Sequence, residues 1–272
     1  MNDLFSLKDK VIVITGAAGL LGRQHADIVA KAGGIPIVLD INRMVVEKLA
    51  TDLQEKYGVL SSGYAVDITN EAEIEVNCNL LLNQYGHIDG LVNNAANNPK
   101  MDTSSSINFS RLENFPRSLW DADISVGLTG AYLCCKYYGF AISRQGGSIV
   151  NISSDLGLIS PDQRLYRKQG IPDDQQPVKP ITYSVVKSGL IGLTRYIATY
   201  WPKENVRCNV ICPGGVETEQ DPAFVRDLCE RIPLGRMANR SEYQGTILYL
   251  LSEASSYMTG AVISVDGGRT VW

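Results

Sequence analysis

The chain has 272 residues, a formal net charge of −4 and 44% hydrophobic residues, which fits one large domain with a buried core. The acidic balance and the scattered Lys and Arg residues argue against a nucleic-acid or membrane-surface partner, and the six cysteines lack the pairing of metal ligands. No apolar run is long enough to span a membrane and the N-terminus has no signal-peptide core, so we expect a cytoplasmic protein without a bound metal.

The predicted elements alternate between short apolar strands and amphipathic helices. Strands are predicted at residues 11–15, 35–39, 63–66, 90–93, 148–152, 206–212 and 261–265. Helices are predicted at residues 20–32, 43–57, 71–85, 118–144, 182–201 and 243–252. Nearly uninterrupted apolar strands that alternate with helices are typical of a parallel sheet covered on both faces. The sequence therefore predicts a single doubly wound α/β domain over residues 1–272, with loop insertions near 97–117 and 155–180.

A glycine-rich turn follows the first predicted strand. Gly16, Gly19 and Gly22 are spaced by three residues, and the next predicted helix begins within the turn. Glycine lets the backbone approach a pyrophosphate closely, and the N-terminus of a helix favours its negative charge. A tight turn that uses small residues for structural reasons alone is the alternative. Because a strand precedes the turn and a helix follows it, we favour a dinucleotide site.

Asp40 follows the second predicted strand. A carboxylate at this position can accept hydrogen bonds from both ribose hydroxyls and would repel a 2′-phosphate. The sequence therefore predicts NAD as the cofactor in preference to NADP, although Arg43, three residues later, could attract a phosphate. Asp40 could also be the N-cap of the following helix, a role that does not exclude ribose binding.

Tyr183 and Lys187 lie four residues apart in a predicted helix and therefore share one face of it. A phenol has a pKa near 10, and a neighbouring ammonium favours the phenolate. Ser154, after the fifth predicted strand, could hold the substrate oxygen that exchanges the proton; capping of the backbone is its alternative role. A Tyr-x-x-x-Lys pair alone arises often by chance. With Ser154 it predicts acid–base catalysis of carbonyl–alcohol interconversion, with hydride transfer to or from a cofactor.

These motifs together resemble the classical short-chain dehydrogenase/reductase family over nearly the whole chain. The matching segments are residues 15–22, 67–68, 93–96, 153–154, 183–187, 213–218 and 265–268. The resemblance implies a Rossmann fold with a small polar substrate and catalysis by Ser154, Tyr183 and Lys187. The cofactor-binding residues that it implies are Gly16, Gly19, Leu21, Gly22, Asp40, Asp67, Ile68, Asn94, Ala95, Tyr183, Lys187, Pro213, Gly214, Val216 and Thr218.

The resemblance also implies separate roles for members of this set. Residues 67–68 would flank the adenine, and residues 94–95 would line the cofactor ribose. Val216 and Thr218 would bind the nicotinamide carboxamide, and Lys187 would hold ribose hydroxyls as well as tune the tyrosine.

Three positions depart from the family pattern. Leu20 replaces the middle glycine, a spacing that also resembles the extended branch with its nucleotide-sugar epimerases and dehydratases; the short chain and the Val-Asp-Gly-Gly ending argue against that branch. Ala96 replaces a glycine. Gly127 stands where the family has an asparagine that holds a water of the proton relay beneath the lysine, and it weakens the prediction of full catalytic competence.

The interval between Ser154 and Tyr183 is longer than in the family pattern. The insertions near 97–117 and 155–180 are predicted at the carboxyl ends of the strands, where open α/β sheets bind ligands. We interpret them as a polar lid. Its candidates for binding an anionic substrate group such as a phosphate are Arg164, Arg167 and Lys168. A solvated surface loop whose charges only aid solubility is the alternative.

The glycine turn, the 155–180 insertion and the residues after Lys187 are similar to those of dehydrogenases from bacterial surface-sugar pathways, including those for nonulosonic acids and flagellar glycans. The sequence thus predicts an NAD-dependent oxidoreductase acting on a secondary alcohol or ketone of a sugar-like substrate. A nucleotide-sugar epimerase or dehydratase with retained NAD and a non-catalytic dinucleotide-binding protein are the alternatives. The family resemblance further implies a homo-dimer or homo-tetramer built through the predicted helices at 118–144 and 182–201.

Overall fold

One parallel sheet organises the molecule. In the part of the chain that this computed structural model describes, residues 3–97 and 109–272, the sheet has seven strands. They are β1 Val11–Thr15, β2 Ile35–Asp40, β3 Ser62–Ala65, β4 Gly90–Asn93, β5 Gly147–Ile152, β6 Val206–Pro213 and β7 Val262–Val265. Their order is β3-β2-β1-β4-β5-β6-β7, and all neighbouring pairs are parallel. The predicted doubly wound α/β fold is confirmed.

Helices cover both faces of this sheet. They are α1 Gly22–Lys31, α2 Arg43–Tyr57, α3 Glu71–Tyr85, α4 Arg117–Ile124, α5 Gly130–Cys134, α6 Phe140–Ile142, α7 Ile181–Tyr200, α8 Pro222–Cys229 and α9 Gln244–Leu251. The π-helical turns Ser125–Thr129 and Cys135–Gly139 join α4, α5 and α6 into one rod. This rod lies where a single helix was predicted at 118–144. The bounds of the other predicted helices and strands lie within two residues of the observed ones.

The strands are apolar throughout because both of their faces are buried. In β1, Ile12 and Ile14 pack into a core with residues of α1, α2 and α9, whereas Val11 and Val13 pack into the core on the opposite face, with residues of α3 and α5. Successive side chains of a strand point to opposite faces, so each strand contributes to both cores. The sheet is thereby fixed as the rigid base of the site.

The order of the strands reverses between β1 and β4. In such sheets the loops that leave neighbouring strands diverge and open a crevice at the carboxyl ends. The glycine turn follows β1, Asp40 ends β2 and Ser154 follows β5. The topology alone therefore brings these separate segments of sequence to one edge of the sheet.

Helix α8 was missed by the sequence prediction. Asp221 caps it: its carboxylate accepts hydrogen bonds from the N–H groups of Ala223 and Phe224, at 2.8 and 3.3 Å, and Pro222 occupies the first turn. An Asp-Pro pair is a known start signal for a helix. The Asp-Pro start signal of these eight residues could have identified it.

The 155–180 insertion contains three short 3₁₀ turns, at Asp155–Gly157, Gln163–Tyr166 and Asp173–Gln175. Of the insertion predicted near 97–117, residues 98–108 lie outside the described residues. Among the helices that the structure describes, none combines the length and apolar character needed to cross a bilayer.

Candidate active site

A cavity of about 650 Å³ opens at the carboxyl ends of the strands, the edge at which open α/β sheets bind their ligands. The predicted site residues that line it are Gly16, Gly19, Leu21, Asp40, Asp67, Ile68, Asn94, Ala95, Ser154, Tyr183, Lys187, Pro213, Gly214, Val216 and Thr218. Gly22 is the predicted site residue that does not line the cavity. The structure therefore brings the catalytic and cofactor-binding candidates into one space.

The glycine turn is fastened to the end of β4. Gly16 has a φ of +63°, and a Cβ at this position would lie 2.7 Å from the Cα of Ala95. The Asn94 side-chain amide donates to the carbonyl oxygens of Thr15 and Gly16, at 3.0 Å each. Only glycine allows both the left-handed backbone and the close approach, so the turn keeps its shape before any ligand binds.

The N-terminus of α1 faces the cavity with free donors. The backbone N–H groups of Leu20 and Leu21 have no hydrogen-bond acceptor in the described part of the chain, and both residues line the cavity. Unpaired N–H groups at a helix N-terminus bind phosphates well. A Cβ on Gly22 would lie 2.3 Å from the Gly16 carbonyl oxygen, so Gly22 allows α1 to pack against the turn. These residues fit the pyrophosphate of a dinucleotide.

Asp40 lies at the rim of the cavity beside the glycine turn. Its Oδ2 accepts a hydrogen bond from the Ala18 N–H at 3.1 Å, which fixes the carboxylate in place. The N-cap alternative for Asp40 is wrong, because the side chain of Asn42 caps α2 by accepting from the Val45 N–H. The Asp40 carboxylate remains available to a ribose.

The side chain of Arg43 does not line the cavity. Its guanidinium is exposed and lies 3.6 Å from the Glu47 carboxylate, one helical turn further along α2. The cations that line the cavity among the described residues are Lys179, Lys187 and Arg269, and they lie with the catalytic residues. A 2′-phosphate at the Asp40 end would therefore face a carboxylate without a nearby cavity-lining cation.

Tyr183 and Lys187 lie at the opposite end of the cavity, on α7. The Lys187 ammonium is buried and donates a 2.9 Å hydrogen bond to the Ile152 carbonyl oxygen, and burial lowers the pKa of Lys187 to about 8. Burial raises the pKa of Tyr183, and a hydrogen bond with Ser154 opposes that rise only in part. Burial is the largest influence on the Tyr183 pKa in the protein alone, and the lowering of the phenol pKa by Lys187 stays a prediction.

Ser154 is held by its own neighbours. Its hydroxyl donates to Asp155 Oδ1 at 2.7 Å and accepts from the Leu156 N–H at 3.2 Å. The other Asp155 oxygen accepts from the Arg269 guanidinium, and both members of this ion pair are buried. The backbone-capping alternative thus describes the contacts of Ser154 correctly. Since Ser154 also lines the cavity, its hydroxyl can reach a ligand by rotating away from Asp155.

The 155–180 insertion covers the cavity with both apolar and charged side chains. Leu165 is buried in a small core with Leu228 of α8, and the rings of Tyr166 and Phe224 are 5.8 Å apart. All four side chains line the cavity. Asp155 and Lys179, at the two ends of the insertion, also line it. The inner side of the lid is therefore mixed, and the interpretation of a polar lid fits its two ends but not its middle.

The three basic residues that the sequence proposed as anion ligands, Arg164, Arg167 and Lys168, do not line the cavity. Arg164 forms an ion pair with Asp162 at 2.8 Å, and Arg167 pairs with Asp173; both arginines are exposed. Lys168 is also exposed, and none of the three lines the cavity. Their predicted role as anion ligands is wrong, because acidic residues close by in the sequence hold both guanidinium groups on the outer surface.

Three charged residues of the site were not found from the sequence. Lys179 lies with its Nζ 3.9 Å from the centroid of the Tyr183 ring, and Asp155 and Arg269 form the buried pair next to Ser154. Lys179 precedes Tyr183 by four residues, a spacing that could have drawn attention to it. No local signal joins Asp155 to Arg269, since they are brought together by the fold alone.

Comparisons with known proteins agree with this geometry. A family model described as enoyl-(acyl carrier protein) reductase matches residues 16–270. An NADP-dependent mannitol dehydrogenase of Hypocrea jecorina is 33% identical over 282 residues, which cover 98% of this chain and 95% of that protein. The chain belongs to the classical short-chain dehydrogenase/reductase family. It is thus an oxidoreductase of the class that interconverts alcohols and ketones.

Two solved structures share the whole fold. A gluconate 5-dehydrogenase from Burkholderia cenocepacia, in complex with NADP and tartrate, has a TM-score of 0.86 at 26% identity and covers 99% of this chain and 98% of that chain. An NAD⁺-bound xylitol dehydrogenase has a TM-score of 0.83 at 25% identity and covers 96% and 99%. The short-chain dehydrogenases similar to this chain thus include holders of either nicotinamide cofactor.

Proposed function

We propose that the protein is an NAD-dependent dehydrogenase that interconverts a secondary alcohol and a ketone on a polar, sugar-like substrate. The observation that carries the proposal is the position of Ser154, Tyr183 and Lys187 at one end of a cavity whose other end is the glycine turn. A nicotinamide dinucleotide lying between these two ends supplies the hydride acceptor or donor. The proton transfers are left to side chains of the chain.

In the oxidation direction, Tyr183 must first be in its phenolate form; it then accepts the proton of the substrate hydroxyl while the hydrogen on the carbon that bears this hydroxyl leaves as hydride. In reduction, the same phenol returns the proton to the oxygen of the ketone. Ser154 rotates away from Asp155 and donates a hydrogen bond to the substrate oxygen, which orients it. Lys187, whose pKa of about 8 leaves it largely protonated at neutral pH, stabilises negative charge that develops on the phenol.

Asp40 supports NAD over NADP as the cofactor. Its fixed carboxylate suits two ribose hydroxyls and repels a phosphate. The similar proteins differ in their cofactor, since the Hypocrea relative is named NADP-dependent and the xylitol dehydrogenase holds NAD⁺.

The cofactor preference can be tested at Asp40. The substitution Asp40→Ser should raise the ratio of kcat/KM with NADP to kcat/KM with NAD by about 10-fold or more. Asp52→Ser, on the exposed side of α2, is the matched control, and equal use of both cofactors by the wild-type protein would contradict the proposal.

The sugar-like substrate is supported by the polyols and sugar acids in the names of the similar proteins: mannitol, xylitol and gluconate. The likeness of the sequence to enzymes of surface-sugar pathways agrees with it. A second candidate, an acyl group on a carrier protein, is suggested by the description of the matching family model. The side chains of Leu165 and Tyr166 on the inner side of the lid could accommodate an acyl chain.

The test is NADH formation by the wild-type protein and Tyr183→Phe with free sugars, polyols, sugar acids, sugar phosphates, nucleotide sugars and β-hydroxyacyl thioesters. Turnover that Tyr183→Phe abolishes and Tyr257→Phe, at a fully exposed tyrosine, preserves is the expected result. Activity confined to the thioesters would favour the second candidate. Product formation from nucleotide sugars without net NADH would instead indicate an epimerase or dehydratase that retains its cofactor.

We also propose self-association through the α4–α6 rod and α7. Tyr132 and Phe140 on the rod are 50% and 56% exposed, and Tyr196 and Tyr200 on α7 are 62% and 57% exposed. Large exposed apolar patches commonly mark protein interfaces. Light scattering should give the mass of a dimer or tetramer, and Phe140→Glu with Tyr196→Glu should reduce it. A monomeric wild-type protein at micromolar concentration would exclude this assembly.

A further inference from the structure

Lys179 places a cation against the tyrosine of the active site. Its Nζ lies 3.9 Å from the centroid of the Tyr183 ring, whereas the Lys187 Nζ lies 5.8 Å from it. The side chain lines the main cavity and a second cavity of about 30 Å³ behind the tyrosine. Because the phenol ring and its hydroxyl are one rigid group, this ammonium is held close to the oxygen that exchanges the substrate proton.

No acidic side chain that the structure describes forms an ion pair with Lys179. Of the nearby carboxylates, Asp155 is paired with Arg269, and Asp123, which lines the second cavity with Lys179, accepts a 2.5 Å hydrogen bond from the Thr182 hydroxyl. Burial lowers the pKa of Lys179, and the charge of Asp155 only opposes that shift. A largely buried ammonium without a counter-ion is costly. An anionic ligand in the cavity would supply the missing partner.

The backbone around Lys179 is fixed on both sides. Its N–H donates a 2.8 Å hydrogen bond to the Gln163 side chain in the lid, and the Val178 N–H donates to the Ser110 hydroxyl at 3.1 Å. Pro180 follows directly and leads into α7. The ammonium is therefore presented by a preorganised segment, which reduces the entropy lost when a ligand binds.

The two ends of the cavity differ in charge. Of the acidic residues that line the cavity, Asp40 and Asp67 lie with the glycine turn and the end of β3, where a dinucleotide would place its adenosine, whereas Asp155 lies at the catalytic end and is paired with Arg269. At the catalytic end, Lys179 and Lys187 have no carboxylate partner among the described residues. A cavity end with unbalanced positive charge attracts anionic substrates.

We propose that Lys179 binds an anionic group of the substrate, a carboxylate or a phosphate, and makes the enzyme selective for sugar acids or sugar phosphates over neutral polyols. This inference rests on the proposed dehydrogenase function and names its substrate class. The anion must lie near the reacting carbon, because the ammonium is held beside the ring of Tyr183. Lys179 would orient the substrate through a charge-assisted hydrogen bond and leave the proton transfer to Tyr183.

The first test is titration calorimetry on the NAD-saturated protein, so that the pyrophosphate site is filled. The probes are tartrate, inorganic phosphate and erythritol, a neutral polyol with the same number of carbons as tartrate. Lys179→Met should raise the Kd of the preferred anion by about 10- to 100-fold, the range expected for a hydrogen bond to a charged group. Lys179→Arg should recover most of the affinity, and Lys168→Met, at an exposed lysine of the same lid, should bind as the wild type does.

The second test is turnover of matched pairs: an aldonate with its alditol, and a sugar phosphate with its free sugar. Lys179→Met should raise KM for the charged member of a pair about 10-fold or more, with little change in kcat. The neutral member should be unaffected. The better charged substrate then distinguishes carboxylate from phosphate.

Equal anion binding by the wild type and Lys179→Met, or erythritol binding as tight as that of tartrate and phosphate, would overturn the role of Lys179. A loss of turnover that is the same for charged and neutral substrates would also overturn it, since a substrate-charge role predicts a difference. The dehydrogenase function fails separately: anion binding that depends on Lys179, without turnover of any pair or with turnover that Tyr183→Phe retains, would contradict the proposed function and leave the anion site standing.

Discussion

The hydroxyl of Ser154 donates its hydrogen bond to Asp155, the residue that follows it, at 2.7 Å. The same carboxylate holds the Arg269 guanidinium, which comes from the 3₁₀ turn Arg269–Val271 near the C-terminus. A residue of the active site is thus tied through one carboxylate to a segment more than a hundred residues away. This buried ion pair stabilises the fold, and it also sets the direction of the Ser154 hydroxyl.

Asp155→Ala should destabilise the protein by about 3–5 kcal/mol, because it leaves the Arg269 charge buried and unpaired. Urea denaturation measures this change. The double variant Asp155→Ala with Arg269→Met should recover a large part of the loss. Asp121→Ala removes an exposed i,i+4 pair with Arg117 and should cost no more than about 0.5 kcal/mol. Similar costs for the buried and exposed pairs would contradict the assignment.

The phenol of Tyr183 should remain protonated up to at least its ordinary pKa near 10 in protein stripped of nucleotide, because burial raises its pKa. The difference in tyrosinate absorbance between the wild type and Tyr183→Phe isolates this one group. NAD⁺, whose nicotinamide ring is cationic, should lower the midpoint, whereas NADH with its neutral ring should not. A midpoint well below pH 10 without nucleotide would mean that the charges of Lys179 and Lys187 outweigh burial.

Gly127→Ala should destabilise the protein by about 1–3 kcal/mol. A Cβ at this position would lie 2.5 Å from Val186 Cγ1 on α7, and β-branched side chains have little rotamer freedom in a helix. Adding Val186→Ala should relieve the overlap. Gly245→Ala is the matched control: it lies at an exposed position of α9 with no atom within 4 Å of its Cβ, and should stabilise by up to about 1 kcal/mol. Equal effects of the two glycine substitutions would rule out close packing as the reason for Gly127.

His25 should make the folded state sensitive to acid. It is fully buried on α1, and its ring nitrogens form no well-placed hydrogen bond among the described residues. Burial lowers its pKa from 6.5 to about 4, a fall that Asn94 opposes only in part. The unfolded chain therefore binds the proton first, so this contribution is complete above pH 6.5 and is lost as the pH falls towards 4, by up to about 3 kcal/mol. His25→Leu should lose less stability than the wild type over this interval, as measured by urea denaturation at each pH. The carboxylates contribute equally to both proteins, so parallel curves would contradict the prediction.

The sheet was predictable because its strands are local apolar runs between turn residues. Ile35–Asp40 and Val206–Pro213, for example, were placed to within a residue from the sequence. The location of the cavity was also predictable, since the positions of Asp40 and Ser154 follow from the rule that parallel strands end at one edge of the sheet. Those inferences need only the period of the pattern and the topology.

Other features depend on tertiary contacts that no local pattern encodes. Leu165 lines the cavity and meets Leu228 of α8, although it stands in a polar stretch of sequence. The direction of the Tyr183 pKa shift depends on how much of the ring is buried. Arg164 looked like a ligand for anions because the sequence does not reveal that Asp162 holds it outside.

The lid has both of its ends beside the catalytic residues, since it begins at Asp155, directly after Ser154, and leads into α7 just before Tyr183. The free energy of closing a loop rises only slowly with its length. Segments of different length and composition can therefore be exchanged between these two fixed points without moving the chemistry below them. The lid, which includes Lys179, can therefore be exchanged as one unit. Its transfer into a relative should transfer the substrate preference as well.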